Sequence, residues 1–346
     1  MRALAYRGPG RLVLEERPVP SPGAGEAVVR VGACAICGTD LRIAAGGHRA
    51  YADGSGRVPG HELTGTVAAV GEGAGLREGA VVFVAPNFGC GRCRACGRGD
   101  VNLCEHTRAL GITEDGGFAD YALLARELVA QGNVFPVAPG ADPAAVALVE
   151  PLACVLRGSR ACRIGEGDVV LVLGAGPIGL LHAAVARDAG AAAVVVGEPN
   201  AERRRRALGW GATAACGADP EELRAELAAT GAPRGADAVV VATPAAAAQR
   251  AALELAAPGG RVNLFAGLPR GASTVELDTN LVHYRELVVT GTTASTNADC
   301  RDALALVLGG RIDTAALVDA RFGLDAAAAA FALAASGRAL KVVIEP

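Results

Sequence analysis

The pattern of apolar positions changes character near residue 168. Before it, short apolar-rich runs at Val28–Val31, Thr64–Val70 and Ala80–Val84 stand between Gly- and Pro-dense stretches. That texture predicts an irregular, mostly antiparallel β domain. After it, the runs Val169–Leu173, Ala193–Val196, Ala238–Ala242, Val262–Phe265 and Leu287–Thr290 are continuously apolar and alternate with Ala-rich helical stretches. Strands apolar on both faces and separated by helices predict a parallel sheet covered on both sides. Beyond about residue 291 the chain passes through GTTASTNADC to helices expected at about 298–308 and 325–335, and to a closing strand, Leu340–Glu345. This last stretch is expected to return to the first domain. The boundaries expected are therefore 1–150 with 291–346 for the β-rich domain and 151–290 for the parallel one. The stretch VVLVLGAGPIGLLHAAVA (169–186) has the length of a membrane span, but its three glycines, proline and histidine suit a strand, a turn and a buried helix better.

Length and composition agree with two globular domains: 346 residues, 51% of them hydrophobic and 20% charged. A net charge of −3 offers no general basic field for nucleic acid or an anionic membrane. The N-terminus lacks the apolar core of a secretory signal, so the chain reads as soluble and cytoplasmic, where thiols stay reduced. Arg is abundant and Lys occurs once, at Lys341, as a GC-rich codon bias would produce.

Reduced thiols direct attention to GCGRCRACGRGDVNLC (89–104), where Cys90, Cys93, Cys96 and Cys104 follow C-x2-C-x2-C-x7-C. Four thiolates close a tetrahedral zinc shell and leave no position for water or substrate, so the expected role is structural; ligand count alone also allows an iron–sulfur cluster. A second, open set is dispersed along the chain. Cys37 lies in ACAICGTDLR, His61 and Glu62 in VPGHELTG, and Glu150 in ALVEPLACV. One sulfur, one nitrogen and carboxylate oxygens form a mixture suited to a catalytic zinc with a free position.

Directly after the strand Val169–Leu173, the turn GAGPIG (Gly174, Gly176, Pro177, Ile178, Gly179) carries G-x-G-x-x-G and opens a helix, the context a dinucleotide site requires. Gly174 makes the tight turn, Gly176 admits the pyrophosphate, and Gly179 allows helix and strand to pack closely. Glu198, nineteen positions after Gly179, is placed to accept the adenosine-ribose hydroxyls and to repel a 2′-phosphate. Against it stands the run Arg203–Arg206, with Arg203 a candidate cofactor contact, although consecutive helical positions cannot all face one site. The reading favours NAD over NADP.

These landmarks, with GGFADYALL (116–124), EPLACVLRG (150–158) and HYRELVVTGTTAST (283–296), resemble the zinc-dependent medium-chain dehydrogenase/reductase family, in particular its polyol (sorbitol) and threonine dehydrogenase-like branch. The resemblance runs in order over nearly the whole chain. It implies an α/β protein with a GroES-like β-rich catalytic domain, a Rossmann doubly wound parallel sheet domain, two zinc ions per chain, and a cleft holding zinc and nicotinamide. It further implies that Cys37, His61 and Glu62 occupy catalytic-zinc positions and that Glu150 is a ligand or a partner of the zinc-bound water; which glutamate coordinates stays open. Thr39 is implied to bond the substrate hydroxyl and begin proton removal, with Asp40 rather than Thr39 capping the helix that follows. Where relatives often carry a proton-passing histidine this chain has Arg42, so water, the cofactor ribose or His48 is expected to carry the proton onward.

The activity implied is oxidation of a secondary alcohol in a hydroxyl-rich small molecule: a polyol, sugar ring, cyclitol or aminocyclitol. The alternatives are oxidation of a threonine-type 3-hydroxy amino acid and a non-catalytic nucleotide-binding relative. Neither a nucleic-acid nor a membrane partner is expected. The strand Leu287–Thr290 is expected at a sheet edge that could pair across a homodimer or homotetramer.

Overall fold

A computed structural model describes all 346 residues. The chain divides into two compact units, Met1–Ala153 with Ala294–Pro346, and Cys154–Thr293. The closing strand of the chain, Lys341–Ile344, pairs antiparallel with Ala27–Ala35.

The first unit is built on a seven-stranded mixed sheet. Its order is Val318–Phe322, Lys341–Ile344, Ala27–Ala35, Glu62–Val70, Val81–Val84 and Val134–Pro136, with Tyr121–Leu124 also paired to Ala27–Ala35. Side chains of alternate residues meet beneath it in one apolar core that includes Leu63, Val82, Val84, Phe88, Phe118 and Leu124. Fully burying each such Leu or Phe is worth roughly 1.5–3 kcal/mol, which holds the sheet rigid beneath the loops at its ends. Strand register brings residues far apart in the chain side by side. Ala35 stands opposite Glu62 on one side and Val343 on the other. The Ile36 N–H donates to Val342 O at 2.9 Å, so the ladder's next step brings Lys341 abreast of Cys37.

The second unit is a six-stranded parallel sheet in the order Ala214–Cys216, Ala193–Gly197, Val169–Leu173, Ala236–Val241, Ala256–Asn263 and Val288–Thr290. Numbered along the chain that is 3-2-1-4-5-6, the doubly wound order whose switch point lies between Val169–Leu173 and Ala236–Val241. Every residue of the first two strands in sequence is buried, as continuous apolar runs demand.

One strand departs from expectation. The run read as Val262–Phe265 belongs to a strand that begins at Ala256 and ends at Asn263. A register shift between Ala236 and Ala238 accommodates the Pro258-Gly259-Gly260 stretch that reads as a turn. Val288–Thr290 lies at the sheet edge, with Val288 and Val289 exposed. No helix is long and apolar enough to cross a membrane.

Candidate active site

Cys37 ends the chain's passage along the sheet and starts the helix Gly38–Ala44, for which it is the N-cap. Asp40 is not the N-cap expected of it. It sits at the third helical position and reaches back, its Oδ2 accepting the Cys37 N–H at 2.8 Å. The other oxygen, Oδ1, accepts the Gly60 N–H at 3.2 Å and stands 3.6 Å from His61 Nδ1. One buried carboxylate thus fixes the Cys37 turn and the loop that delivers His61. Gly60 itself has φ +100°, and a Cβ there would stand 2.7 Å from Cys34 Sγ, so only glycine turns the chain into His61 at this point.

The result is a convergence of unlike donors. One ligand atom from each of Cys37, His61 and Glu62 lies within 4.8 Å of the others, with His61 and Glu62 buried. Buried His61 Nδ1 has no hydrogen-bond partner. Burial drives the imidazole toward neutrality, but Asp40 and Cys37 outweigh it and raise its pKa well above the ordinary value. A thiol, an imidazole and a carboxylate that together attract positive charge fit a divalent cation, with Nδ1 turned to Asp40 and Nε2 left for the ion.

Glu62 has a partner that the sequence reading did not assign. Lys341 Nζ donates to both of its oxygens at 2.6 Å and to Ile36 O at 3.4 Å. The side chains are 5% and 0% exposed respectively. Burial works against the ammonium, yet the attraction of Glu62, Cys37 and Glu150 leaves the Lys341 pKa raised. Glu150, buried in the first turn of the helix Val149–Ala161, therefore lies within electrostatic reach of the same lysine, outside the tight Cys37–His61–Glu62 group.

Thr39 and Arg42 occupy the exposed side of the Gly38–Ala44 helix. They are three positions apart on one face, and Arg42 Nη2 donates to Thr39 Oγ1 at 3.0 Å. His48, in the loop after this helix, accepts the Ala50 N–H on Nδ1 at 3.3 Å. Partial burial, then Arg42 and Arg49, lower its pKa. A neutral ring whose Nδ1 accepts carries its proton on Nε2. His48 consequently presents a donor, not the acceptor that the proton-carrier expectation requires.

The four clustered cysteines are drawn together. Cys93 Sγ stands 3.5 Å from Cys96 Sγ and 3.7 Å from Cys104 Sγ, and all four sulfurs lie within 4.8 Å of one another. A disulfide would need about 2.0 Å. A tetrahedron with Zn–S bonds of about 2.3 Å has edges of about 3.8 Å, so the spacing matches a shared metal. Backbone N–H groups of Cys90 and His106 point at Cys104 Sγ, both at 3.3 Å. Amides of Arg92 and Cys93 bring the Cys90 thiol down to about 6, whereas burial pushes Cys96 up to about 11. A second dication fits this set.

In the parallel unit, Gly174 adopts φ +105° and Gly176 is the N-cap of the helix Pro177–Asp188. A Cβ on Gly179 would stand 1.9 Å from Gly174 O, so glycine is obligatory where helix and strand meet. Around Gly176 a Cβ would meet nothing within 4 Å, leaving the face beside Pro177 and Ile178 open. Buried Glu198 closes the turn: its Oε2 accepts the Ala175 N–H at 2.8 Å and its Oε1 the Asn200 N–H at 2.9 Å. The arginine run disperses, as consecutive helical positions must. Arg203 gives its N–H to the Asn200 cap, Arg204 Nη1 caps the carbonyls of Glu198 and Pro199 at 2.7 and 2.8 Å, and Arg205 pairs with Glu202.

Comparison with known proteins identifies two family segments along the chain. Residues 23–139 match the alcohol dehydrogenase GroES-like domain, and residues 177–309 the zinc-binding dehydrogenase family. The chain is 33% identical to the L-galactonate-5-dehydrogenase of Escherichia coli K12, over 93% of this chain and 92% of that protein. It is also 33% identical to an L-threonine 3-dehydrogenase of Pyrococcus horikoshii, over 95% and 94%. Among solved structures, a zinc-binding dehydrogenase of Sinorhizobium meliloti 1021 bound to NADP superposes with a TM-score of 0.91 at 33% identity, covering 100% of this chain and 99% of that one.

Proposed function

We propose, from the premise that the chain belongs to the zinc-binding dehydrogenases with an alcohol dehydrogenase GroES-like domain, that it oxidises a secondary alcohol of a polyhydroxylated small molecule to a ketone, passing hydride to a nicotinamide cofactor. The observation that carries this reading is the convergence of Cys37, His61 and Glu62, one sulfur, one nitrogen and one carboxylate within 4.8 Å of one another. Cys37, His61 and a glutamate, Glu62 or Glu150, would hold zinc there, and the ion would supply Lewis-acid polarisation of the alcohol. Thr39 orients the hydroxyl, its own oxygen fixed by Arg42. Arg42 is always protonated and His48 offers Nε2–H, so the proton on Thr39 would leave by water or, with a cofactor bound, by its ribose hydroxyls. Cys90, Cys93, Cys96 and Cys104 would hold a second zinc that staples their loop and offers no position to substrate.

Gly174, Gly176, Pro177, Ile178 and Gly179 would hold the cofactor's pyrophosphate. Glu198 favours NAD over NADP, since its carboxylate repels a 2′-phosphate and the guanidinium of Arg204 is occupied by carbonyls. Arg203 lies at the same strand end as a flanking contact. A hydroxyl-rich substrate is favoured over a 3-hydroxy amino acid by the charges beside Thr39. Arg42 and Arg49 are cationic and oppose a substrate ammonium, and the oxygens of Asp40 are taken by the Cys37 and Gly60 amides. The L-galactonate relative is named for a polyhydroxylated acid. The exposed edge strand Val288–Thr290 suits pairing in a homodimer or homotetramer, and a cytoplasmic setting suits the reduced thiols.

The test is an NAD(P)H-formation screen over polyols, sugars, aminocyclitols and 3-hydroxy amino acids, joined to metal analysis. Two zinc ions are expected, one for each donor group. Cys37→Ser is expected to lose one zinc and all measurable turnover while retaining NAD binding. Turnover in that variant at normal zinc content overturns the site assignment. A single zinc with no turnover of any class supports a non-catalytic nucleotide-binding protein instead.

A further inference from the structure

The loop beside Thr39 carries more positive charge than a neutral polyol calls for. Arg42 is exposed, spends one N–H on Thr39 Oγ1, and pairs with no carboxylate. A guanidinium has five donors in a planar fork, so most of its hydrogen-bonding capacity is unused. His48 stands close enough to Arg42, Arg49 and His61 for all three to disfavour its protonation, and it presents Nε2–H because Nδ1 takes the Ala50 amide. Asp40 acts on His48 in the opposite sense, but its oxygens are already committed to the Cys37 and Gly60 amides. Donors and positive charge thus gather beside Thr39.

We propose that Arg42, with His48 beside it, binds an anionic group on the polyhydroxylated substrate, so that the chain prefers an aldonate or a sugar phosphate to the corresponding neutral polyol. The inference rests on the secondary-alcohol reading above. The planar fork of Arg42 matches carboxylate and phosphate oxygens bidentately, whereas a hydroxyl engages only one donor and carries no charge. Its contact with Thr39 ties the anion to the same side chain that fixes the hydroxyl-orienting residue. Arg42 thereby acts as a specificity-determining residue where a titrating relay would otherwise stand.

The experiment compares D-gluconate, sorbitol 6-phosphate and sorbitol on the zinc-replete full-length chain, in wild type, Arg42→Gln and Arg42→Lys. Two readouts are taken: kcat/KM for oxidation, and Kd from titration calorimetry against the NADH-saturated protein. The expected result is that at least one anion is preferred over sorbitol by about tenfold or more, the size of a hydrogen bond to a charged group. Arg42→Gln is expected to lose that preference, mainly through KM, and Arg42→Lys to keep part of it. Raising salt should weaken only the anionic substrates. Whichever anion shows the larger preference identifies carboxylate or phosphate as the group bound. Equal or better use of sorbitol in wild type, or an anion-to-neutral ratio unchanged in Arg42→Gln, overturns the proposal. If no alcohol is oxidised, the secondary-alcohol reading falls, and calorimetry still decides the role of Arg42: anion binding that is absent, or unweakened in Arg42→Gln, removes it.

Discussion

Replacing Lys341 with Met tests whether the Glu62 carboxylate belongs to a cation site. The two side chains are almost wholly buried, and Nζ lies 2.6 Å from both carboxylate oxygens. Removing one partner of such a pair leaves a charge in low dielectric with nothing to answer it, at a cost of about 3–5 kcal/mol. In metal-free protein the variant should lose that much stability in the sheet of the first unit. With zinc bound nearby, the carboxylate regains a positive neighbour, and the loss should fall to less than about half. Adding Glu62→Gln to the metal-free variant should recover most of it, since a neutral amide has no charge to strand.

The readout has to come from the right unit. The one tryptophan, Trp210, lies in the other unit, so fluorescence does not see this change. Amide hydrogen exchange of Glu62–Val70 and Lys341–Ile344, the strands that carry the pair, and of Ala27–Ala35 between them reports it directly. A loss below about 1 kcal/mol without metal would refute the buried-pair argument. An identical loss with and without zinc would refute the placement of Glu62 beside the ion.

Two further expectations concern the parallel unit. His182 is fully buried against Phe265, neither ring nitrogen has a partner, and burial brings its pKa from 6.5 to about 3. The unfolded chain therefore binds a proton that the folded one refuses. Stability is complete above about 6.5 and falls by about 1.4 kcal/mol per pH unit from there toward 3. Trp210 fluorescence during urea titration should show His182→Leu losing less stability than wild type over that range, and parallel curves would contradict the reading. Glu198→Ala should weaken NAD and lower the NAD-to-NADP ratio of kcat/KM by about tenfold without reversing it, because Arg204 stays on its carbonyls. An unchanged ratio would remove Glu198 from cofactor selection.

What is legible in the sequence is local. The glycine turn can be read because its constraints fall within six residues: one positive φ at Gly174, one open face at Gly176, and one 1.9 Å clash avoided at Gly179. The parallel sheet can be read because burial on both faces writes continuous apolar runs. The four-cysteine loop can be read because its donors share fifteen positions. Contacts across the sheet leave no such trace. Asp40 looks like a helix cap, and nothing nearby in sequence says that its second oxygen holds the Gly60 amide beside His61. The Lys341–Glu62 pair spans 279 positions and depends on a register in which Ala35 stands between Glu62 and Val343. The strand at Ala256–Asn263 is misread at both ends because its register shift absorbs a Pro-Gly-Gly stretch that local rules treat as a turn.

Composition nevertheless holds one clue to that pair. In a chain where Arg is abundant and Lys occurs once, most cationic positions accept a guanidinium, so the remaining lysine marks a place where the two are not interchangeable. The structure supplies the reason. Between Ile36 O and the two Glu62 oxygens, in a space where the lysine side chain is 5% exposed, a compact ammonium with three donors meets three acceptors. A guanidinium there would bring five donors and a wider plane to the same three acceptors, leaving buried N–H groups unmatched. The contrast with Arg42 comes from the same count. At the exposed helix face one donor is used and four are left over, which costs nothing in water and provides a fork for an incoming anion.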